Sequence, residues 1–151
     1  MARMHAKKKG KASSTRPYRT KNPEWVQSKP KEVGNLVTKY AKEGLSSAVI
    51  GQRLRDQHGI PNIRLATGKS VTQILRDNKL QPSIPEDLTN LMRKAVQLNA
   101  HLKSNPKDLH NKRGLHLIES KIRRIAKYYI RIGVMPKGWK YSIETAELQV
   151  K

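Results

Sequence analysis

Two long apolar stripes dominate the second half of the chain. Leu88, Leu91, Met92, Ala95, Leu98 and Leu102 recur at three- and four-residue spacing, and so do Leu115, Ile118, Ile122, Ile125, Ala126 and Tyr129. That spacing places each set on one face of a helix. The first helix is predicted to open on a capping box, Ser83-x-x-Glu86, with Pro85 in the first turn, where a missing N–H costs little. Glu86 and Asp87 also complement the dipole at that end. The helix runs to about Ser104, where Asn105-Pro106 breaks it. The second is predicted from about Asn111 to Ile132, stopped by Gly133 and Pro136. A short loop joins them, so the pair should pack as an antiparallel hairpin.

Upstream, residues 32–80 read as a small helical module of three helices. Val33, Leu36, Val37, Tyr40 and Ala41 mark the first, with Gly44 as its stop. Ser46 is a good N-cap for the second, which carries Val49, Ile50 and Leu54 and ends near Gly59. Leu45 and Ile50 are placed to form a hydrophobic staple. Gly59-Ile-Pro-Asn-Ile63 is a turn-rich link, and the third helix follows Gly68 with Val71, Ile74 and Leu75 inward. Together they supply a core of about ten apolar side chains. No segment alternates as a strand would. The fold class is therefore all-α: a basic N-terminal arm (1–31), the three-helix module (32–80), a long antiparallel hairpin (81–138) and a tail (139–151). Trp139 and Tyr141 allow that tail to fold back on the hairpin.

Charge decides the class of partner. The 151 residues carry 32 Lys+Arg against 11 Asp+Glu, a formal charge of +21. Solubility needs a net charge of only roughly 2–8. The surplus repels itself until a polyanion neutralises it and releases condensed counterions. Residues 1–31 hold ten Lys/Arg and one acid, Glu24, and lack a core, so they form an arm that orders on such a partner. Tyr18 and Trp25 are its exceptions: either could stack on a base or anchor the arm to the protein. There is no Cys, no apolar run of membrane-spanning length and no secretory signal pattern.

Catalytic chemistry is not encoded. His5, His58, His101, His110 and His116 form no zinc-binding spacing. Gly68-Lys69-Ser70 ends like a phosphate loop but lacks the earlier glycine and the preceding strand. Acidic residues are few and scattered. We expect no enzyme activity, metal, cofactor, small-molecule substrate or membrane.

Binding residues concentrate after the loop. Arg113, Arg124, Lys127 and Arg131 share a broad face of the last helix, away from the apolar stripe, as a phosphate backbone requires. Asp108 faces two roles: capping that helix, or accepting from a base amino group or 2′-hydroxyl. His101, at the edge of the first stripe, reads as half-buried packing, and Tyr128 can pack its ring while its hydroxyl reaches outward. A competing reading makes residues 46–78 a helix-turn-helix DNA-binding regulator with Lys69, Gln73 and Arg76 as its reading face. Any compact three-helix packing module shows the same spacing.

The run Asp108-Leu-His-Asn-Lys-Arg-Gly-Leu115, followed by Arg123-Arg124 and Tyr128, resembles the family of the fifteenth universal small-subunit ribosomal protein. The spacing from His101 to Asp108 to Tyr128 matches too. Arg3-Met-His-Ala6, Pro17-Tyr-Arg19, Pro23-x-Trp25, Ile50-Gly-x-x-Leu-Arg-Asp-x-His-Gly59, Thr67-Gly68 and Pro85-Glu-Asp-Leu88 resemble its archaeal and eukaryotic branch. The resemblance covers nearly the whole chain. It implies a structural constituent of cytoplasmic ribosomes that binds small-subunit ribosomal RNA and supports early assembly of its central domain, among neighbouring ribosomal proteins. It further implies that His101 and Tyr128 contact a three-way RNA junction, and that Asp108 and Asn111 contact the groove of a nearby helix. His110 joins that RNA-binding set, and Lys112, Arg113, Arg124, Lys127 and Arg131 hold backbone. The arm residues Arg3, His5, Lys7, Lys8, Lys9, Lys11, Arg16 and Arg19 are expected to add RNA contacts. Bacterial relatives have histidine where Asn105 stands, serine where Asn111 stands and a glutamine-type contact where Asp87 stands; Asp87 reads here as a helix-start acid.

Overall fold

The computed structural model describes residue 15 and residues 17–150. Among the described residues there are seven helices and no strand. They divide into two compact units, with the boundary between Ser83 and Ile84.

The first unit holds α1 (Pro30–Lys42), α2 (Ser47–His58), α3 (Ile63–Thr67) and α4 (Val71–Asp77), with α1 packed against the other three. Pro30 opens α1 at a position that needs no N–H donor, and the Glu32 carboxylate accepts from the Lys29 N–H at 3.1 Å. Gly44 takes the left-handed φ of +83° that ends the turn. Ser46 caps α2 by accepting from the Val49 N–H at 3.4 Å, and Ser70 caps α4 through the Gln73 N–H at 3.2 Å. Val33, Val37, Tyr40, Ile50, Leu54, Ile60, Ile63, Ile74 and Leu75 form the core, with Leu45 packed against it. Ile50 and Leu54 are fully buried, whereas Val49, the third apolar residue read on this helix, is 41% exposed. The three expected helices are present, and the expected link adds the short α3. Asn62 initiates α3 by accepting from the Arg64 N–H at 3.1 Å, and Ile63 anchors it in the core. Five residues are too few for an apolar period to register.

The second unit holds α5 (Glu86–Ser104), α6 (Leu109–Arg131) and α7 (Ile143–Val150). α5 packs against both α6 and α7. Leu88, Met92, Ala95, Leu115, Ile122, Met135 and Ala146 make its core. The capping box expected at Ser83 is not formed: Pro85, at φ −57° and ψ 140°, is the N-cap and Glu86 the first helical residue. A proline at 85 biases Ile84 away from helical geometry, so the helix cannot begin beside Ser83. Asp87 serves the start instead, its Oδ1 accepting from the Leu88 N–H at 2.8 Å. The tail does fold back, and part of it is α7. Ala146 is fully buried, and Trp139, Tyr141, Ile143 and Val150 pack on the core. Ser142 and Thr145 cap α7 reciprocally, each hydroxyl accepting from the other's N–H at 3.4 and 3.2 Å. No helix among the described residues is long and apolar enough to cross a membrane.

Candidate nucleic-acid interface

The loop between α5 and α6 brings four polar side chains together. Asp108 is the N-cap of α6, its Oδ1 accepting from the Asn111 N–H at 2.9 Å. Its Oδ2 lies 2.7 Å from the Asn111 amide Nδ2 and 3.1 Å from His101 Nε2. Asn105 Nδ2 stands 3.4 Å from His101 Nδ1. One tautomer satisfies both histidine contacts: Nε2–H donates to Asp108, and Nδ1 accepts from Asn105. The Asn111 backbone bond, then the His101 and Asn111 side chains, hold the Asp108 carboxyl down to about 2. Capping and surface chemistry are thus the same arrangement for Asp108. His101 was expected to be half-buried packing; its side chain is 43% exposed and turned to Asp108. The donors around Asp108 mask the negative charge that would repel phosphate, leaving amide and imidazole edges at the surface.

The basic face lies along α6. Arg113, Arg124, Lys127 and Arg131 fall within about 40° of one line on a helix of 3.6 residues per turn. All four are exposed, and none forms an ion pair among the described residues. Lys112 is also exposed but lies about 100° round the helix from Arg113. Arg123 is held by Glu119 at 3.6 Å. His110, exposed in the first turn, stands near the polar cluster.

At the other end of α6, Tyr128 is 49% exposed. Its ring meets Tyr129 edge-on at 5.3 Å between centroids, and the Arg131 guanidinium lies 5.8 Å from it. Tyr129 donates its hydroxyl proton to Asp87 Oδ2 at 2.7 Å. Burial, then the Asp87 carboxylate, pushes the Tyr129 phenol up to about 12. Asn111 and Tyr128 are about 26 Å apart along the helix at 1.5 Å per residue. His101 therefore sits with Asp108 and Asn111, at the opposite end of α6 from Tyr128. Sequence reasoning also missed the Asp87–Tyr129 link, for which spacing carries no signal because the partners lie 42 residues apart.

Arg3, His5, Lys7, Lys8, Lys9, Lys11 and Arg16 lie outside the described residues. Arg19 is described, with its guanidinium 5.0 Å from the Trp25 ring centroid. The helix-turn-helix reading weakens at its own face: Lys69 is tied to Asp77 at 2.6 Å and Arg76 Nε to Gln81 at 3.0 Å. Among the described residues no three His, Cys, Asp or Glu converge to hold a metal ion.

Residues 71–149, more than half of the chain, match the family model described as ribosomal protein S15. The chain belongs to the ribosomal protein S15 family. Residues 1–60 match the ribosomal S13/S15 N-terminal domain. The chain is similar to the small ribosomal subunit protein uS15 of Methanococcus vannielii, 52% identical over 151 residues and the full length of both. It is similar also to that of Methanocorpusculum labreanum, 53% identical over 98% of this chain and 97% of the relative. The uS15 of Methanoculleus marisnigri is 51% identical over the same shares. The S15 match spans α4–α7, which contain both ends of the hairpin described above.

Proposed function

We propose that this S15-family chain is a structural, non-catalytic component of the small ribosomal subunit, working in the cytoplasm. It binds a three-way junction and an adjacent helix of small-subunit ribosomal RNA, and so supports early assembly of the central domain. One observation carries this reading: α6 holds two chemically different surfaces a fixed distance apart. His101, Asp108 and Asn111 offer hydrogen-bonding edges suited to base edges and 2′-hydroxyls in a shallow RNA groove. About 26 Å away, Tyr128 and Arg131 offer an exposed ring beside a charge, flanked by Arg124 and Lys127. A rigid helix between two such surfaces favours one mutual arrangement of the RNA segments they hold, because only that arrangement satisfies both. Neighbouring ribosomal proteins and the basic arm complete the contacts.

The test is binding of the full chain to a junction RNA carrying the adjacent helix, against plain double-stranded RNA of equal length. Preference for the junction is expected, and crosslinks should map to residues 101–131. Equal affinity for the two RNAs would remove the basis of the proposal.

A further inference from the structure

The first unit contains a cleft that the hairpin reading leaves unused. It has a volume of about 1010 Å³ and is lined by Trp25, Arg19, Gln52, Arg55, Asn62 and Arg64, among others. Trp25 is 63% exposed, whereas its neighbour Val26 packs against the core. Val26 therefore anchors this part of the chain, and the indole beside it is left at the surface. A ring of that size in water forgoes the burial its area would reward. The Arg19 guanidinium lies over the ring, 5.0 Å from its centroid; this cation–π contact covers part of one indole face, and the ring's remaining exposed surface is what a base can meet. The Arg64 guanidinium has no partner among the described residues; only its backbone is engaged, through Asn62 and Gly68. Arg55 pairs with Asp56 through Nε at 2.7 Å, which leaves its two terminal amino groups. Three guanidinium groups against that one carboxylate make the wall positive, and Gln52 and Asn62 add amide edges.

We infer that this cleft is a second RNA site, which takes an unpaired nucleotide with its base on Trp25 and its phosphates on Arg64 and Arg55. Stacking needs an exposed π-face that a paired base cannot offer, so the occupant is single-stranded. Guanidinium forks match phosphate oxygens, and the amides can reach a base edge. The cleft volume is at the top of the roughly 300–1,000 Å³ range of small-ligand pockets, which admits a nucleotide with its flanking phosphates. The inference shares with the proposed function only that the chain binds RNA; it uses a different unit and a different mode of recognition.

The test uses the full chain with Trp139→Phe, so that Trp25 is the sole indole. Titration with hexauridylate should quench Trp25 emission saturably, and a duplex RNA at equal nucleotide concentration should quench it several-fold less. Arg64→Gln, at an exposed side chain outside the core, should raise the midpoint several-fold. In the chain with Trp139 intact, anisotropy of labelled hexauridylate should show at least fivefold weaker binding for Trp25→Leu, in line with stacking losses seen on removing such rings. Unchanged Trp25 emission, equal quenching by duplex, or affinity unmoved by both substitutions would overturn the inference. Junction binding measured on the same variants separates the two ideas: if it persists while hexauridylate is ignored, only the cleft site is lost.

Discussion

Tyr129 and Asp87 join the end of α6 to the start of α5 by a 2.7 Å hydrogen bond. Asp87 already accepts from the Leu88 N–H, so one carboxylate both starts a helix and ties it to its neighbour. Removing the hydroxyl in Tyr129→Phe leaves that start intact and deletes only the tie. The bond is near the surface, so the expected loss is about 1 kcal/mol, read by urea unfolding. The phenol is also raised to about 12 by burial and by Asp87. A raised folded value means that its contribution is fully present below the unfolded value near 10 and is lost as pH climbs toward 12. Wild type should lose more stability than Tyr129→Phe across that interval; parallel curves would show that folding does not raise the phenol.

Asp108 should behave in the opposite sense with pH. Its carboxyl is held down to about 2, first by the Asn111 N–H. The stability it contributes is present above the ordinary value near 3.8 and disappears as pH falls through 2. Asparagine is as good an N-cap as aspartate, so Asp108→Asn should keep the fold at neutral pH while flattening the acid limb between those values. Asp108→Ala should lower the melting temperature at neutral pH and release His101 and Asn111 from their shared acceptor. Thermal melts at pH 2, 3, 4 and 7 check both variants, and identical acid limbs in wild type and Asp108→Asn would refute the assignment.

How much of this was readable beforehand follows from which interactions are local. The stripes of α5 and α6 are strongly periodic; Gly44, Gly59 and Gly133 mark helix ends through a left-handed φ, and Ser46 marks a helix start through its side-chain oxygen. Asp108 as a cap is equally local, three residues from its donor. Three features resist that treatment. α3 is shorter than two helical turns, so its pattern cannot be told from a turn. The start of α5 pits a capping box against a proline, and the proline's steric demand prevails at Ile84. The placement of His101 depends on chain reversal at Asn105, which stripe periodicity does not describe. Ser142-x-x-Thr145 was a local signal for α7 and could have been used.

The basic face makes a quantitative prediction about salt. Arg113, Arg124, Lys127 and Arg131 are exposed and outside any ion pair among the described residues. Each that meets a phosphate should release about one counterion, so log affinity for junction RNA should fall linearly with log salt. Arg124→Ala should reduce that slope by about one unit and weaken binding to all RNA sequences alike. Arg123→Ala, on a guanidinium already shared with Glu119, should change the slope less. Binding isotherms from 50 to 300 mM salt decide this, and a flat plot for wild type is incompatible with phosphate neutralisation.

Tyr128 isolates recognition from stability. Its hydroxyl makes no hydrogen bond among the described residues, while its ring touches Tyr129 and Arg131. Tyr128→Phe retains those ring contacts, so the unfolding midpoint should stay within about 0.5 kcal/mol of wild type. If the hydroxyl bonds to RNA, the affinity for the junction should drop by about five- to tenfold, as for one lost hydrogen bond. Contacts near His101, Asp108 and Asn111 lie about 26 Å away and should be untouched. Crosslinking of the variant therefore carries its own control: signal from the adjacent helix should persist while signal from the junction declines. Wild-type junction affinity in Tyr128→Phe would assign the ring to packing alone and leave Arg124, Lys127 and Arg131 as the groups that hold this end of the RNA.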